Sequence, residues 1–480
     1  MSELKAIEAI LKKRKNLILG VSEKIWNYAE LSYEEYQSAK LLSSVLEKEN
    51  FTIDRGVADI PTAFTARFTS GKGTPVFGFL GEYDALDGLS QEAGNPKQAP
   101  IEKGQSGHGC GHNALGSASL GAALAVKDYL VKNNLDGTVL FFGCPGEEGA
   151  GSKQFMARAG VFDDVDFVYT WHPSTTNEVQ SHRSVAIMGA NFHFKGISSH
   201  AGSAPHLGRS ALDAAELMSV GSNYLREHMI NQARIHYAYS DVGGSAPNVV
   251  QDRSTVKYEV RAPKMTQVYD LFDRVVNVAK GAALMTETEM DYEITMAFSD
   301  YIPNNALAEV AYEALNEVGA PEWSEEDYQL ASQYLSSYNE ATLNQIKEKI
   351  AEEYGEEKVE AVLKRPLDSM VRPYTGHIVQ YESGSTDVGD VSYTVPTINF
   401  LIATACIGNI GHTWQMTGQA CSPIAHKGLM TAAKVMALAA IKTMQRPETI
   451  QKAKKSVLQQ NGGSYQCPLP DDVKPPIGTY

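Results

Sequence analysis

Cys110 and His112 lie two residues apart in the glycine-rich run Gly107-His-Gly-Cys-Gly-His-Asn113. Further on, Cys144-Pro-Gly-Glu-Glu-Gly149 places two adjacent carboxylates, Glu147 and Glu148, just after the apolar run Thr138–Gly143, which reads as a buried strand. Thiolate, imidazole and carboxylate are the groups that zinc, manganese and similar ions accept. Adjacent acids beside such donors permit a division of labour, one holding metal and the other moving protons. The chemistry these residues suggest is metal-dependent hydrolysis. Most cysteines are inert packing, and Cys144, Cys406 and Cys421 are read that way. Cys110 departs because its surroundings are glycine-rich and poorly hydrophobic. Acid pairs are usually solvated, but Glu147-Glu148 follow a buried strand and are bracketed by Gly146 and Gly149, which permit close backbone approach.

The elements that must carry these groups follow from the pattern of the whole chain. Its 480 residues exceed what one core usually supports, so at least two domains are expected. Apolar residues make up 43% and charged residues 21%, enough of the first to build cores and too little of the second for wholesale disorder. A net charge of −15 argues against nucleic acid or an anionic membrane as the main partner. The amphipathic start has no secretory core, and no uncharged apolar stretch reaches the ~18 residues of a membrane span. Five scattered cysteines are not a disulfide framework, so the expected compartment is the cytoplasm.

Residues 3–50 have helical spacing, Val76–Leu80 reads as a buried strand, and Ala114–Leu130 as a buried helix. The strand to Gly143, a helix around Ser152–Ala159 and a strand Asp166–Trp171 follow. Strands alternating with helices predict an α/β sheet with motifs at its carboxyl edge. From about residue 187 the texture changes to strand (Ala190–Lys195), helix (Ser210–His228), strand (Thr255–Arg261), helix (Val268–Leu284) and strand (Met290–Met296). That predicts an α+β domain at 187–299 inserted into a discontinuous α/β domain, 1–186 with 300–480. Glu322–Lys364 reads as a solvated helical excursion of unassigned role, Pro396–Ile402 as a late buried strand, and Ala425–Gln445 as a terminal helix before a Pro-rich tail.

In this order the motifs resemble the M20 family of metallopeptidases and amidohydrolases, and within it subfamily D. The carriers are Gly81-Glu-Tyr-Asp-Ala-Leu86, Gly107–Asn113, Cys144–Gly149, Trp171-His-Pro173, Ser199-His-Ala-Gly-Ser-Ala-Pro205 with Gly208–Ala214, Pro247-Asn-Val-Val250, Ser385-Thr-Asp-Val-Gly-Asp390 and His412-Thr-Trp414. The resemblance implies a catalytic α/β domain with an inserted lid and dimerisation domain. It also implies two divalent ions, Mn²⁺ or Zn²⁺, held by Cys110, His112, Glu148, His172 and His412, with Glu147 as general base. In the lid, His200 matches a histidine that reaches a neighbouring active site to stabilise an oxyanion, and Asn248 and Arg261 match substrate contacts. His108 is left out as a ligand, His206 is read as structural, and His377 and His426 as surface or core histidines. Two departures stand out: Asn113 replaces the usual aspartate, and Glu82-Tyr-Asp84 replaces His-x-Asp, which leaves Asp84 to support a ligand from behind.

The implied activity is cleavage of an amide bond to an amino acid with a free carboxylate, p-aminobenzoyl-glutamate being the expected substrate. Dipeptidase and N-acyl-amino-acid deacylase activities are the alternatives. A homodimer is expected, or a heteromer with a homologous subunit on which activity depends. A zinc nucleobase deaminase is excluded because Pro-Cys-x-x-Cys is absent.

Overall fold

The computed structural model describes residues 2–376 and 384–478, so His377 lies outside the described residues. The strands in chain order are β1 (Thr52–Arg55), β2 (Phe64–Ser70), β3 (Val76–Gly81), β4 (Gly137–Gly143), β5 (Phe167–Ser174), β6 (Glu178–Val179), β7 (Ala186–Lys195), β8 (Arg234–Asp241), β9 (Arg253–Ala262), β10 (Glu289–Phe298) and β11 (Thr397–Ala403). Seven form a mixed sheet in the order β1-β2-β4-β3-β5-β11-β6. Its centre is parallel, β4 beside β3, β3 beside β5 and β5 beside β11, while β1, β2 and β6 are antiparallel borders.

Alternation along these strands feeds two separate cores. Phe77, Phe79, Val139, Phe141, Phe167, Tyr169 and Trp171 join one cluster, and Leu80, Leu140, Phe142 and Val168 join another. Successive side chains of a strand point to opposite faces, so the sheet is covered on both sides. The first cluster is roofed by Glu3–Tyr28, His112–Asn133 and Pro423–Met444. His112–Asn133 is rich in alanine and buried around nearly its whole circumference, as expected of a central helix. Close packing follows from its small residues: a Cβ on Gly121 would meet Ile18 and Ala433. Pro423–Met444 is long and apolar enough to cross a membrane by length and composition, and it packs inside this core.

The second sheet, β10-β7-β9-β8, is antiparallel throughout and carries Ala211–Leu225 and Met265–Thr286. β8 is its outer edge. Only Ile235 of that strand is buried, and Tyr237 and Tyr239 are exposed.

Several elements differ from the sequence reading. β1, β2 and β8 had no distinct signal, and Pro423–Met444 is not terminal, because Pro447–Gln460 follows it. The acid-rich segment is not simply solvated. Its helices Glu325–Leu335 and Glu340–Tyr354 bury Tyr328, Tyr334, Leu335, Ile346 and Ile350 against Cys406, Ile407 and Ile424. Charge on the outer faces masks this inner stripe. The Pro-rich tail is also packed: Leu469 enters the core of the second sheet, and Arg158 donates to the carbonyls of Pro470 and Val473.

Candidate metal centre

Four neighbouring parallel strands end at one edge, and each delivers a functional segment there. Glu82 and Asp84 follow β3, Glu147 and Glu148 follow β4, His172 lies in the last residues of β5, and the loop after β11 leads to His412. Cys110 and His112 arrive from the loop that opens the helix His112–Asn133. Gly111 adopts φ 84° there, and a Cβ would press on Pro173 and Met416. This is the crevice at the carboxyl ends of strands where α/β proteins place ligands.

The potential donor atoms fall into three groups, each with its atoms within 4.8 Å of one another: Cys110, His112 and His172; Cys110, Glu148 and His412; and Glu82, His112 and Glu147. The five residues expected to hold metal thus converge in two groups that share Cys110. His172 Nε2 is 3.4 Å from Cys110 Sγ, and His412 Nε2 is 3.4 Å from Glu148 Oε2. His112 Nδ1 lies 2.9 Å from Asp84 Oδ1, which fixes the tautomer that leaves Nε2 free for the cluster. Asp84 Oδ2 accepts from Ser32 Oγ and from the backbone N–H of Glu148, so one carboxylate orients two candidate ligands. His112 Nε2 and Glu148 Oε1 are buried without a hydrogen-bond partner among the described residues. Buried polar atoms are rarely left so, and a cation would satisfy both. The donor set fits one or two divalent ions.

His412 differs from the rest. Its side chain is 58% exposed, it stands at the mouth of the site, and its backbone has φ 58°. That left-handed conformation costs a non-glycine residue about 1–2 kcal/mol and must be held by its surroundings. His412 N–H donates to Gly109 O, Ile410 N–H donates to the Tyr338 hydroxyl at 3.0 Å, and Asn409 Oδ1 accepts from Gln419 Nε2. The acid-rich helical segment therefore supports the loop of a candidate ligand.

Lys153 was missed by the sequence reading, and Glu82 and Asp387, though inside its motifs, were given no role. Lys153 Nζ is fully buried, 2.7 Å from Glu82 and 2.6 Å from Asp387. Asp387 also accepts the backbone N–H of Ser152 and Lys153, and Glu82 lies 3.4 Å from His112 Nε2. The hint in the sequence was an acid in the place of the family's usual histidine. Because Lys153 neutralises Glu82, this carboxylate is less available to a cation than Glu148.

Burial and charge tune the groups. Burial, with the charges of Glu82 and Glu148, pushes Glu147 well above the usual carboxylate range. Burial also raises Glu148 and, with help from Glu148, the Cys110 thiol. Burial opposes protonation of His112, but Cys110 and Asp84 outweigh it and raise its pKa. Lys153 is likewise held charged despite burial by Asp387 and Glu82. A bound cation would reverse this logic for the donors.

Of the lid residues, Arg261 is half-buried, lines the cavity with the cluster, and donates to Glu259 at 3.0 Å. His200 and Asn248 do not line it. His200 is exposed, and its Nδ1 accepts the backbone N–H of Gly202 and Ser203, each at 3.1 Å, which puts its proton on Nε2. Asn248 is also exposed, and its carbonyl accepts from Ala201 N–H. His108 is buried against Ile25 O and His206 is exposed in a short turn.

Sulfur, nitrogen and oxygen donors gathered at a sheet's carboxyl edge, with a further largely buried carboxylate beside them, define a metal-binding hydrolase. The chain belongs to peptidase family M20/M25/M40, which it matches over residues 78–370. It is 44% identical over 461 residues, 95% of each chain, to the B subunit of p-aminobenzoyl-glutamate hydrolase from Escherichia coli (strain K12). It is 28% identical to the Xaa-Arg dipeptidase of Mus musculus, over 94% of this chain and 90% of that one. The fold is shared with a dinuclear metal-binding M20 peptidase from Bacillus subtilis: TM-score 0.57, 17% identity, 90% of this chain and 99% of that one. The chain is accordingly a hydrolase acting on amide bonds.

Proposed function

We propose that this hydrolase cleaves p-aminobenzoyl-glutamate to p-aminobenzoate and glutamate, using two divalent ions, Mn²⁺ or Zn²⁺. The observation that carries the reading is the convergence of Cys110, His112, Glu148, His172 and His412 around the largely buried carboxylate of Glu147. The name of the 44%-identical relative supports the substrate. Cys110, His112 and His172 would hold one ion, and Cys110, Glu148 and His412 the other. Such ions, when bound, polarise a carbonyl and make water acidic enough to ionise near neutral pH.

The chain's own residues supply the rest. Glu147 takes the proton of the attacking water and returns it to the leaving nitrogen. Asp84 keeps His112 and Glu148 oriented through the cycle. Arg261 offers a guanidinium to the glutamate carboxylate. His200 presents Nε2–H as an oxyanion donor and Asn248 an amide. Because neither lines this chain's cavity, both act across a dimer built on the four-stranded unit at 187–299, whose β8 edge and exposed Tyr224 offer the surface. A homologous companion chain would take the same place in a heteromer, a reading supported by the relative's name as one subunit of its hydrolase. The free cysteines suit the reducing cytoplasm.

The test is the isolated chain, loaded in turn with Mn²⁺ and Zn²⁺, assayed for p-aminobenzoate release beside an Xaa-Arg dipeptide and an N-acyl amino acid. Preferred cleavage of either alternative would replace the substrate assignment. No cleavage until a companion chain is added would mark a dependent half-enzyme.

A further inference from the structure

The cavity of about 470 Å³ that holds the donor cluster continues beneath it, along the sheet. On β5, Thr170 lies two residues before His172, so the two side chains share a face about 6.6 Å apart. Asn399 and Leu401 of β11 are their register partners. Gln180 lies beyond Asn399, its N–H bonded to the Asn399 carbonyl and its Oε1 accepting Asn399 Nδ2 at 2.6 Å. Thr170 and Asn399 on two neighbouring strands, with Gln180 one residue past β6, thus form a polar row one step deeper than the reacting centre. Ile187, Phe298 and Leu401 supply apolar surface to the same cavity, beside the polar Ser184, Ser385 and Thr386.

Two atoms of this row are anomalous. Thr170 Oγ1 and Asn399 Oδ1 are buried without a hydrogen-bond partner among the described residues, and Thr170 is only 1% exposed. Buried groups left unpaired are costly, and a ligand that completes them recovers the loss. Their chemistry is selective. Asn399 Oδ1 can only accept and a threonine hydroxyl can do either, so the row calls for an N–H or O–H donor. An anionic group would set a second acceptor against the Asn399 acceptor.

We infer that this row is the end of the acyl pocket, and that Thr170 and Asn399 select an acyl group with a flat apolar body and a neutral hydrogen-bond donor at its far end. The inference rests on the amidohydrolase reading above and narrows it. With the scissile carbonyl at the cluster, a benzoyl ring lies between Phe298 and Leu401, and its para position meets Thr170 and Asn399. A site built to pair a buried donor discriminates strongly against analogues that lack it.

The test compares three substrates on the metal-loaded protein: p-aminobenzoyl-glutamate, benzoyl-glutamate and p-carboxybenzoyl-glutamate. The wild type is expected to favour the amino compound over the benzoyl compound by on the order of 10- to 100-fold in kcat/KM, and to handle the carboxy compound worst. In T170V and N399L that ratio should fall towards one. The wild-type ratio needs no variant, so misfolding of either leaves the question decidable. Inhibition by p-aminobenzoate against benzoate gives a second readout through binding alone. Equal efficiency on the first two substrates, or a ratio unmoved in folded variants, overturns the subsite while leaving the amidohydrolase standing. Failure of the wild type on all three sinks the substrate assignment and the subsite together.

Discussion

Replacing Lys153 by methionine keeps an unbranched side chain one atom shorter and removes a charge that two carboxylates enclose. Glu82 is 2.7 Å away, Asp387 2.6 Å, and the three side chains are between 0 and 3% exposed. Breaking a buried ion pair from one side leaves its partner's charge uncompensated, which costs about 3–5 kcal/mol. Here two partners are stranded, so the upper end applies. Unfolding entropy near 2.1 cal/mol/K per residue gives about 0.7 kcal/mol/K for a cooperative unit of about 350 residues. The melting temperature of K153M should therefore fall by about 7 °C. The melt should be followed by circular dichroism at a fixed scan rate, with both proteins stripped of metal, because a bound ion would add its own stabilisation. The double variant K153M/D387N removes one stranded charge as well and should recover part of the loss. A K153M protein melting within a degree of the wild type would refute the argument, since it would mean the two carboxylates find other compensation at no cost.

Glu147→Gln should bind metal as before and lose turnover by about 10²–10⁴-fold; turnover near wild type would remove Glu147 as proton carrier. His200→Ala should be crippled alone, and mixing it with the Glu147→Gln protein should restore activity in mixed dimers if the imidazole acts on a neighbouring site; verified mixed dimers with no recovery would count against that. Tyr338→Phe removes the acceptor of Ile410 N–H, a loss of about 1 kcal/mol. It should loosen the His412 loop and weaken retention of one metal equivalent by several-fold in a chelator competition, whereas unchanged retention would show that Gly109 and Gln419 suffice. Asp390 is buried under Ser299 and Tyr465, and burial raises its pKa to about 7. The folded state therefore binds a proton more tightly than the unfolded one, and its stabilisation is full below about pH 4 and lost as pH rises through 7, a few kcal/mol in all. Asp390→Asn should flatten that slope in melts taken between pH 5 and 8; an unchanged slope would contradict the shift.

The donors were legible because they sit in short, unusual strings: a thiol among glycines, an acid pair after an apolar run, a histidine closing a strand. Continuous apolar runs likewise exposed β3, β4, β5 and the helix at 112–133. What escaped shares one property, a signal spread over partners distant in the chain. β8 offers one buried residue, Ile235, in eight, and its alternation is lost against a solvated face. Pro447–Gln460 buries only Ile450, Ala453 and Val457 in a polar sequence. Lys153 is an ordinary lysine until Glu82 and Asp387 are brought to it. The tyrosines at 328, 334 and 338 lie in acidic surroundings, and nothing local announces that they brace the loop at 405–413.

β11 lies between β5 and β6, although more than two hundred residues separate it from either. During synthesis, β5 therefore emerges with an open flank that β11, made more than two hundred residues later, closes. A product cut short before Thr397 would display that unpaired edge, with Phe167 and Tyr169 beside it, and lack His412. Such a fragment would be a nucleus for strand-to-strand aggregation rather than a weakened enzyme.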